Sequence, residues 1–146
     1  MGKPGQGASD TGATSGRPGM AVGHIGPAVI AHGAGNSASL AASASEAGAD
    51  FLEVDLWLHN GRFEARHERA AYPVPLLFEK WYLRWAPRAP FGLAELLTAA
   101  GQTRVFLDLK SGDQECARLI RRVIDGAASP PRMAASAQQW RFLRAL

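Results

Sequence analysis

Two acidic residues stand inside a stretch of chain that is otherwise apolar. Glu53 and Asp55 lie in the run from 51 to 58, whose other members are Phe, Leu, Val and Trp. Because they are two residues apart, both side chains point to the same face of a β-strand. Burying such carboxylates without partners costs several kcal/mol, and Ca²⁺ or Mg²⁺ would offset that cost with oxygen ligands. We predict a metal-binding or catalytic pair. The alternative is a solvated edge strand, which Phe51 and Trp57 on the same face disfavour.

Two histidines could supply the acid–base chemistry that such a site needs. His32 follows the apolar run 28–31 and precedes a glycine cluster, and His67 ends the segment from 63 to 67. Imidazole titrates near neutral pH, which suits general acid–base catalysis. A single histidine is more often structural, but two beside an acidic pair indicate a functional role. His59, at a turn, and His24, near the N-terminus, are predicted to be solvated.

The apolar pattern indicates which elements position these residues. It predicts strands at 28–31, 51–58, 63–67, 104–110 and 132–136, and helices at 37–47, 91–100, 113–125 and 138–146. Alternating strands and helices are typical of a parallel α/β sheet. The chain would hold about four β/α units, half of a (β/α)₈ barrel. The acidic and imidazole groups would then lie at the carboxyl ends of the strands, where such barrels carry their active sites.

Two further segments lack this alternation. Residues 1–27 are rich in Gly, Ser, Thr, Ala and Pro without periodic apolar positions, and we predict a disordered tail. Residues 68–90 are rich in Pro, Trp and Tyr and are predicted to be an irregular loop or a small insertion. Its aromatic residues would either line an acyl or headgroup pocket or form a packed cap.

Composition excludes several classes of protein. The 146 residues are 47% hydrophobic and 20% charged, enough for one domain with a core. The net charge of +3 comes without a basic tract, so a nucleic-acid partner is not expected. The single cysteine, Cys116, cannot form an intrachain disulfide and is predicted to be a packing residue. Neither a secretory signal nor an apolar run of about 18 residues is present, so we predict a cytoplasmic protein without a transmembrane segment.

The order of short motifs resembles the glycerophosphodiester phosphodiesterase family. That family shows His-Arg-Gly, Glu-Asn-Thr, Gly-Ala-Asp, Glu-x-Asp, a later His-Asp and a Glu-x-Lys strand. The matching segments over residues 28–146 are His32-Gly33-Ala34, Gly35-Asn36-Ser37, Gly48-Ala49-Asp50, Glu53-Val54-Asp55, His67-Glu68 and Leu107-Asp108-Leu109-Lys110.

The resemblance implies a TIM barrel that hydrolyses a glycerophosphodiester, a small molecule, to glycerol phosphate and an alcohol. By position, it makes His32 and His67 the acid–base pair. It makes Glu53, Asp55 and Asp108 the ligands of Ca²⁺ or Mg²⁺, and it makes Lys110 a contact to phosphate.

This sequence departs from the family pattern at three site positions and in length. Gly33 replaces an arginine, Gly35 replaces a glutamate ligand, and Asp108 is one methylene shorter than the usual Glu. A phosphate-binding module without turnover, or a non-functional fragment, is therefore an alternative to an enzyme. Strands five to eight of a barrel are also missing. We expect a truncated reading frame, with a homo-oligomer that completes the barrel or a stand-alone variant as alternatives.

Overall fold

A computed structural model describes residues 27–111, 114–138, 143–144 and 146. Four predictions concern residues outside this part of the chain: the tail up to residue 26, the solvated His24, a helix cap at Asp113 and most of the helix expected over 138–146. They stay predictions.

The described elements alternate between strands and helices, with a strand-rich segment in the middle. The strands are β1 Ile30–Ala31, β2 Phe51–His59, β3 Arg62–Ala65, β4 Arg69–Ala70, β5 Leu76–Glu79, β6 Tyr82–Trp85, β7 Arg104–Leu109 and β8 Met133–Ala137. The helices are α1 Ala38–Glu46, α2 Leu93–Ala100 and α3 Gln114–Asp125, preceded by a 3₁₀ turn at Ala34–Asn36. Most boundaries fall within two residues of the prediction.

The main sheet confirms the predicted α/β class. Its strand order is β1-β2-β7-β8, all neighbours are parallel, and β3 pairs antiparallel with β2 through the expected hairpin. Parallel neighbours need crossover connections, and α1, α2 and α3 lie in those connections. Within the described ranges the sheet stays open and does not close into a barrel.

One face of this sheet carries the core. Leu52, Val54 and Leu56 alternate along β2 and are fully buried. Val105 and Leu107 on β7 belong to the same buried cluster, which also takes in the apolar residues of α2 and α3. Since side chains alternate along a strand, burying this face turns Glu53 and Asp55 to the opposite one.

The turn after β1 is shaped to bring the chain close to β2. A Cβ atom on Gly35 would lie 2.6 Å from the Cβ of Val54 and 2.8 Å from the Glu53 carbonyl oxygen, so a side chain there would push the turn away. Ser37 then caps the start of helix α1, since its Oγ accepts a hydrogen bond from the Leu40 amide at 3.3 Å. Gly48, with φ of 83°, lies just beyond the end of the helix, as predicted.

The prediction of an irregular loop over residues 68–90 is wrong in part. The segment contains an antiparallel sheet of three short strands in the order β4-β5-β6, so the expectation of a small insertion is the correct one. Strands of two to four residues leave too few positions for an alternating pattern, and Pro73 and Pro75 interrupt the run between them.

None of the helices in the described ranges combines the length and the hydrophobicity needed to cross a bilayer.

Candidate active site

Strand register brings three carboxylates to one point. Asp55 on β2 pairs with Asp108 on β7, and Asp108 pairs with Ser136 on β8. Glu53 precedes Asp55 by two residues and faces the same way. Oxygen atoms of Glu53, Asp55 and Asp108 all lie within 4.8 Å of one another. We call these three residues together with Lys110 the carboxylate cluster.

The position of Glu53 corrects one detail of the prediction. Glu53 pairs with Phe106 in the middle of the parallel ladder rather than at its carboxyl end. Asp55 lies near that end, since the parallel pairing with β7 stops at Leu56. The cluster therefore extends inward from the edge of the sheet, which explains why Glu53 is only 5% exposed.

Glu53 is held by the turn that follows β1. The Gly33 amide donates to its Oε2 at 2.6 Å, and His32 Nδ1 lies 3.2 Å from the same oxygen. Gly33 has φ of 68°, the left-handed region that glycine adopts without strain. The His32 side chain itself is 78% exposed, so the imidazole lies over the cluster at the solvent side.

Asp55 is the deepest member of the cluster and has no exposed surface. Asn36 holds it from two sides: its Nδ2 donates to Asp55 Oδ2 at 2.9 Å, and its Oδ1 accepts from the Asp55 amide at 3.0 Å. The other carboxylate oxygen, Oδ1, is the one buried side-chain polar atom within the described ranges that makes no hydrogen bond of good geometry. The Lys110 ammonium lies 2.8 Å from it as an ion pair.

Lys110 joins Asp55 to Asp108. Its ammonium also bonds Asp108 Oδ2, while Ser136 Oγ donates to Asp108 Oδ1 at 3.0 Å. Burial lowers the pKa of Lys110, but the hydrogen bonds that its ammonium donates to Asp108 and then to Asp55 outweigh burial, and the net pKa is raised. The ammonium is thus held charged, yet it balances only one of the three carboxylates.

His67 lies at the mouth of a neighbouring cleft of about 830 Å³. Its Nδ1 lies 3.1 Å from Glu79 Oε1 on β5, and its side chain is 51% exposed. Trp57 and Lys110 line the same cleft. Lys110 therefore belongs both to the carboxylate cluster and to the cleft that contains His67, whereas His32 contacts the cluster through Glu53.

A second set of buried charges supports the segment that carries His67. Arg66 Nε donates to Glu64 Oε2 at 2.8 Å, and Tyr72 Oη donates to Glu64 Oε1 at 2.9 Å. The Arg66 guanidinium also bonds the Glu68 carbonyl oxygen and lies 5.1 Å from the centre of a Trp57 ring. Residues 64–68 are thereby fixed on both sides of His67.

Glu68 ties the same segment to the small sheet. Its Oε1 accepts from Arg84 Nε at 2.7 Å and from Tyr82 Oη at 3.0 Å. Burial raises the pKa of Glu68, but these hydrogen bonds, with a backbone one, outweigh it and hold the pKa below its usual range. Partial burial and hydrogen bonds to Glu68 and Glu79 raise the pKa of Tyr82 to about 12. We call this set the Arg66 network: Glu64, Arg66, Glu68, Tyr72, Tyr82 and Arg84.

Known proteins with this fold include a phosphodiesterase domain. The glycerophosphoryl diester phosphodiesterase domain of an uncharacterised protein from Mycobacterium tuberculosis matches over 82% of this chain, with a TM-score of 0.54 and 18% sequence identity. The match covers 55% of that chain, so the present chain spans about half of its length. At this identity the two proteins share a fold, and the likeness says no more. No protein-family model and no curated protein matches the sequence.

The carboxylate cluster has the composition of a site for a hard divalent cation. Its donors are all oxygen, which Ca²⁺ and Mg²⁺ prefer, and three negative charges face one positive charge. The buried Asp55 Oδ1 is partnered by the Lys110 ammonium at 2.8 Å, and this one cation leaves two of the three carboxylate charges for a metal ion to offset. These residues could therefore bind a metal ion.

Three residues beside the predicted ones also shape the site. Asn36 and Ser136 orient Asp55 and Asp108, and Glu79 contacts His67. In the sequence, Asn36 stood out only as part of a motif, and Ser136 ended a predicted strand. Ser136 could have been identified from the strand register, because it pairs with Asp108 on the neighbouring parallel strand. Glu79 could not be found without knowing how β5 folds back on His67.

Proposed function

We propose that this chain is a metal-dependent phosphodiester hydrolase that converts glycerophosphodiesters to glycerol phosphate and an alcohol. The observation that carries the proposal is the convergence of Glu53, Asp55 and Asp108, three carboxylates with one lysine ammonium among them. The fold supports the same activity, because the chain shares it with a domain named as a glycerophosphoryl diester phosphodiesterase.

Each member of the carboxylate cluster has a role in this proposal. Glu53, Asp55 and Asp108 would hold Ca²⁺ or Mg²⁺, and a cation bound there would offset charge on the nonbridging oxygens of the phosphate. Lys110 lines the cleft and carries a raised pKa, so it is charged at neutral pH and can bind a phosphate oxygen.

His32 and His67 would move the protons. One imidazole takes a proton from water as the water oxygen bonds to phosphorus, and the other donates a proton to the alcohol oxygen as its bond to phosphorus breaks. In both residues Nδ1 is the nitrogen that faces a glutamate. That arrangement favours a proton on Nδ1 in the neutral ring and directs Nε2 to the substrate.

A cytoplasmic location and a small-molecule diester substrate belong to the same proposal. So does completion of the sheet by further strands from a second copy or from additional chain. β1 and β8 end the strand order β1-β2-β7-β8, and uncovered edge strands favour pairing with another strand. Val29 and Ile30, next to and within β1, are 59% and 49% exposed.

A second candidate function is binding of phosphate esters without turnover. Gly33 and Gly35 favour it, since neither can supply the arginine or glutamate side chain that the resemblance leads one to expect. The structure opposes simple restoration of either side chain. Gly33 has a positive φ of 68°, and any Cβ on Gly35 would lie 2.6 Å from Val54. A bound phosphate would then lack the two parallel hydrogen bonds that a guanidinium donates.

The two functions are separated by measuring metal binding and turnover on the same 146-residue chain. Glycerophosphocholine hydrolysis is followed as choline release in Ca²⁺, in Mg²⁺ and in chelator, and thermal unfolding is followed in parallel. A metal at 100 times its Kd stabilises the folded state by about 2.7 kcal/mol. For the enzyme we expect turnover only with metal, and a loss of about 100-fold or more in His32→Ala.

Variants assign these effects to the site. Asp55→Asn should abolish both the metal-dependent stabilisation and turnover, while Glu95→Gln should change neither, because Glu95 lies on α2 and pairs with Arg62. Metal stabilisation without turnover would favour the binding module. Turnover that persists in chelator, or that survives in Asp55→Asn, would refute the proposed mechanism.

A further inference from the structure

The small sheet β4-β5-β6 has two faces of opposite character. Residues paired across antiparallel strands lie on the same face. Leu77 pairs with Arg84, and Glu79 pairs with Tyr82, so these four share one face. Leu77 is 1% exposed there, and the polar members bond Glu68 and His67. This face is the one attached to the rest of the protein.

The opposite face is apolar, and its large side chains are exposed in the part of the chain that the structure describes. Phe78 pairs with Leu83, and Leu76 pairs with Trp85. Trp85 is 70% exposed, Leu83 is 63% exposed and Phe78 is 37% exposed. At the turn between β5 and β6, Trp81 is 83% exposed. A contiguous group of large exposed apolar side chains on one face indicates a binding surface.

Positive charge is concentrated in the segment that forms this surface. Residues 69–90 contain four basic residues, Arg69, Lys80, Arg84 and Arg88, and one acidic residue, Glu79. Arg84 and Glu79 lie on the attached face and their charges cancel, which leaves +3 from the exposed residues Arg69, Lys80 and Arg88. Lys80 Nζ lies 4.9 Å from the centre of a Trp81 ring at the tip of the hairpin.

We propose that this face of the small sheet docks on a lipid bilayer that contains anionic lipids. Tryptophan and tyrosine favour the boundary between headgroups and acyl chains, and basic side chains beside them attract anionic headgroups. The charge argues against a second copy of this chain as the occupant. A symmetric pair would bring two surfaces of charge +3 together, whereas an anionic bilayer complements that charge.

The surface continues into the cleft that holds His67 and Lys110. Arg69, Phe78 and Lys80 line that cleft as well. A chain docked through the small sheet would therefore present the cleft to the bilayer surface, where phosphodiesters of lipid headgroups lie. This last step, that the substrate is a diester at a membrane surface, rests on the proposed function, whereas bilayer docking does not.

Vesicle co-sedimentation of the full chain in chelator tests docking without any contribution from catalysis or metal. We expect binding to vesicles of phosphatidylcholine with phosphatidylserine and much weaker binding to phosphatidylcholine alone. The double variant Trp81→Ser/Trp85→Ser should lower the partition coefficient by about tenfold or more. Leu40→Ser is the matched control, since Leu40 is 55% exposed on α1.

A second pair of variants tests the charge. Lys80→Glu/Arg88→Glu should reduce binding to anionic vesicles by about fivefold for each basic residue removed. Arg118→Glu on α3, outside the small sheet, should leave binding nearly unchanged, because the attraction falls off within a Debye length. Circular dichroism and thermal unfolding establish that each variant is folded, and the charge variants decide the question if the tryptophan variant does not fold.

Three outcomes would overturn the proposal. The first is that the parent chain does not bind anionic vesicles. The second is that the control variants lose as much binding as the surface variants. The third is that the chain forms a dimer in sedimentation equilibrium that Trp81→Ser/Trp85→Ser dissociates, because the surface would then bind a second copy. Failure of glycerophosphocholine turnover would leave bilayer docking unaffected.

Discussion

Two groups of buried charges lie side by side in this protein, and they differ in how completely the charges are compensated. The carboxylate cluster sets three carboxylates against the single ammonium of Lys110. The Arg66 network sets two carboxylates, Glu64 and Glu68, against two guanidinium groups, and two tyrosine hydroxyls supply further donors.

This difference separates a structural role from a binding role. A buried ion network with balanced charge and satisfied hydrogen bonds gains little from a further ligand, and removing one member leaves an uncompensated charge behind. A cluster with excess negative charge gains directly when a cation binds. Burial alone would not distinguish the two groups of charges, since Asp55 in the carboxylate cluster is 0% exposed and Glu64 in the Arg66 network is 6% exposed.

The strongest test of this contrast is Arg66→Met. The substitution keeps an unbranched apolar stem but removes the charge that compensates Glu64 and the bond to the Glu68 carbonyl. Breaking one partner of a buried ion pair costs about 3–5 kcal/mol, and we expect a loss of that size in urea-induced unfolding. The loss should be equal in calcium and in chelator, because Arg66 does not belong to the carboxylate cluster.

The double variant Glu64→Gln/Arg66→Met provides the control for that experiment. It removes both charges, so it should recover part of the lost free energy of unfolding. A loss below about 1 kcal/mol in Arg66→Met would mean that the network is not a structural element and that the contrast is wrong.

A smaller effect is expected from Glu68→Gln, which removes one charge and keeps an acceptor oxygen. Hydrogen bonds to charged groups contribute about 1.5–3 kcal/mol, and we expect a loss near the lower end at neutral pH. The pKa of Glu68 is lowered in the folded state. Its stabilisation is therefore present above the ordinary value of 4.5 and is lost as pH falls through the folded pKa.

The effect of Glu68→Gln is measured as the pH dependence of the unfolding free energy. Unfolding free energies of the parent chain and the variant should converge as the pH falls below 4.5, since the parent then carries a neutral carboxyl as well. Parallel curves at acid pH would show that the Glu68 charge does not stabilise the fold.

The carboxylate cluster could be predicted largely from sequence because its signal is local. Glu53 and Asp55 conflict with their apolar neighbours within one strand, and that conflict marks a buried charge whatever the rest of the fold does. The register of parallel strands then brings Asp108 opposite Asp55. The parallel α/β class followed in the same way from the alternation of strands and helices.

The Arg66 network could not be predicted, because its bonds join residues that sequence does not pair. Tyr82 and Arg84 reach Glu68 only because β5 and β6 fold back as a hairpin. The strands of this hairpin are four residues long and follow two prolines, so neither length nor alternation indicates them. Because these strands were not predicted, Glu79 could not be identified as the partner of His67. The separation of the small sheet into a polar and an apolar face could not be predicted either.

The smallest expected effect on stability, and the most specific one, concerns Lys110→Met. Lys110 is 26% exposed, and we expect its loss to cost about 1 kcal/mol without metal. Its pKa is raised, so its stabilisation is present below the ordinary value of 10.5 and is lost as pH rises through the folded pKa. The stabilities of parent and variant should therefore converge at strongly alkaline pH.

Metal binding should change in the opposite direction in the same variant. Removing the ammonium leaves three carboxylates without their cation, and we expect Lys110→Met to bind Ca²⁺ several-fold more tightly by isothermal titration, because a neighbouring positive charge no longer repels the ion. Weaker binding of Ca²⁺ would mean that Lys110 helps to hold the carboxylates in place for the metal. Lys110 would then have a structural role in the carboxylate cluster, as Arg66 has in the Arg66 network, despite the excess of negative charge.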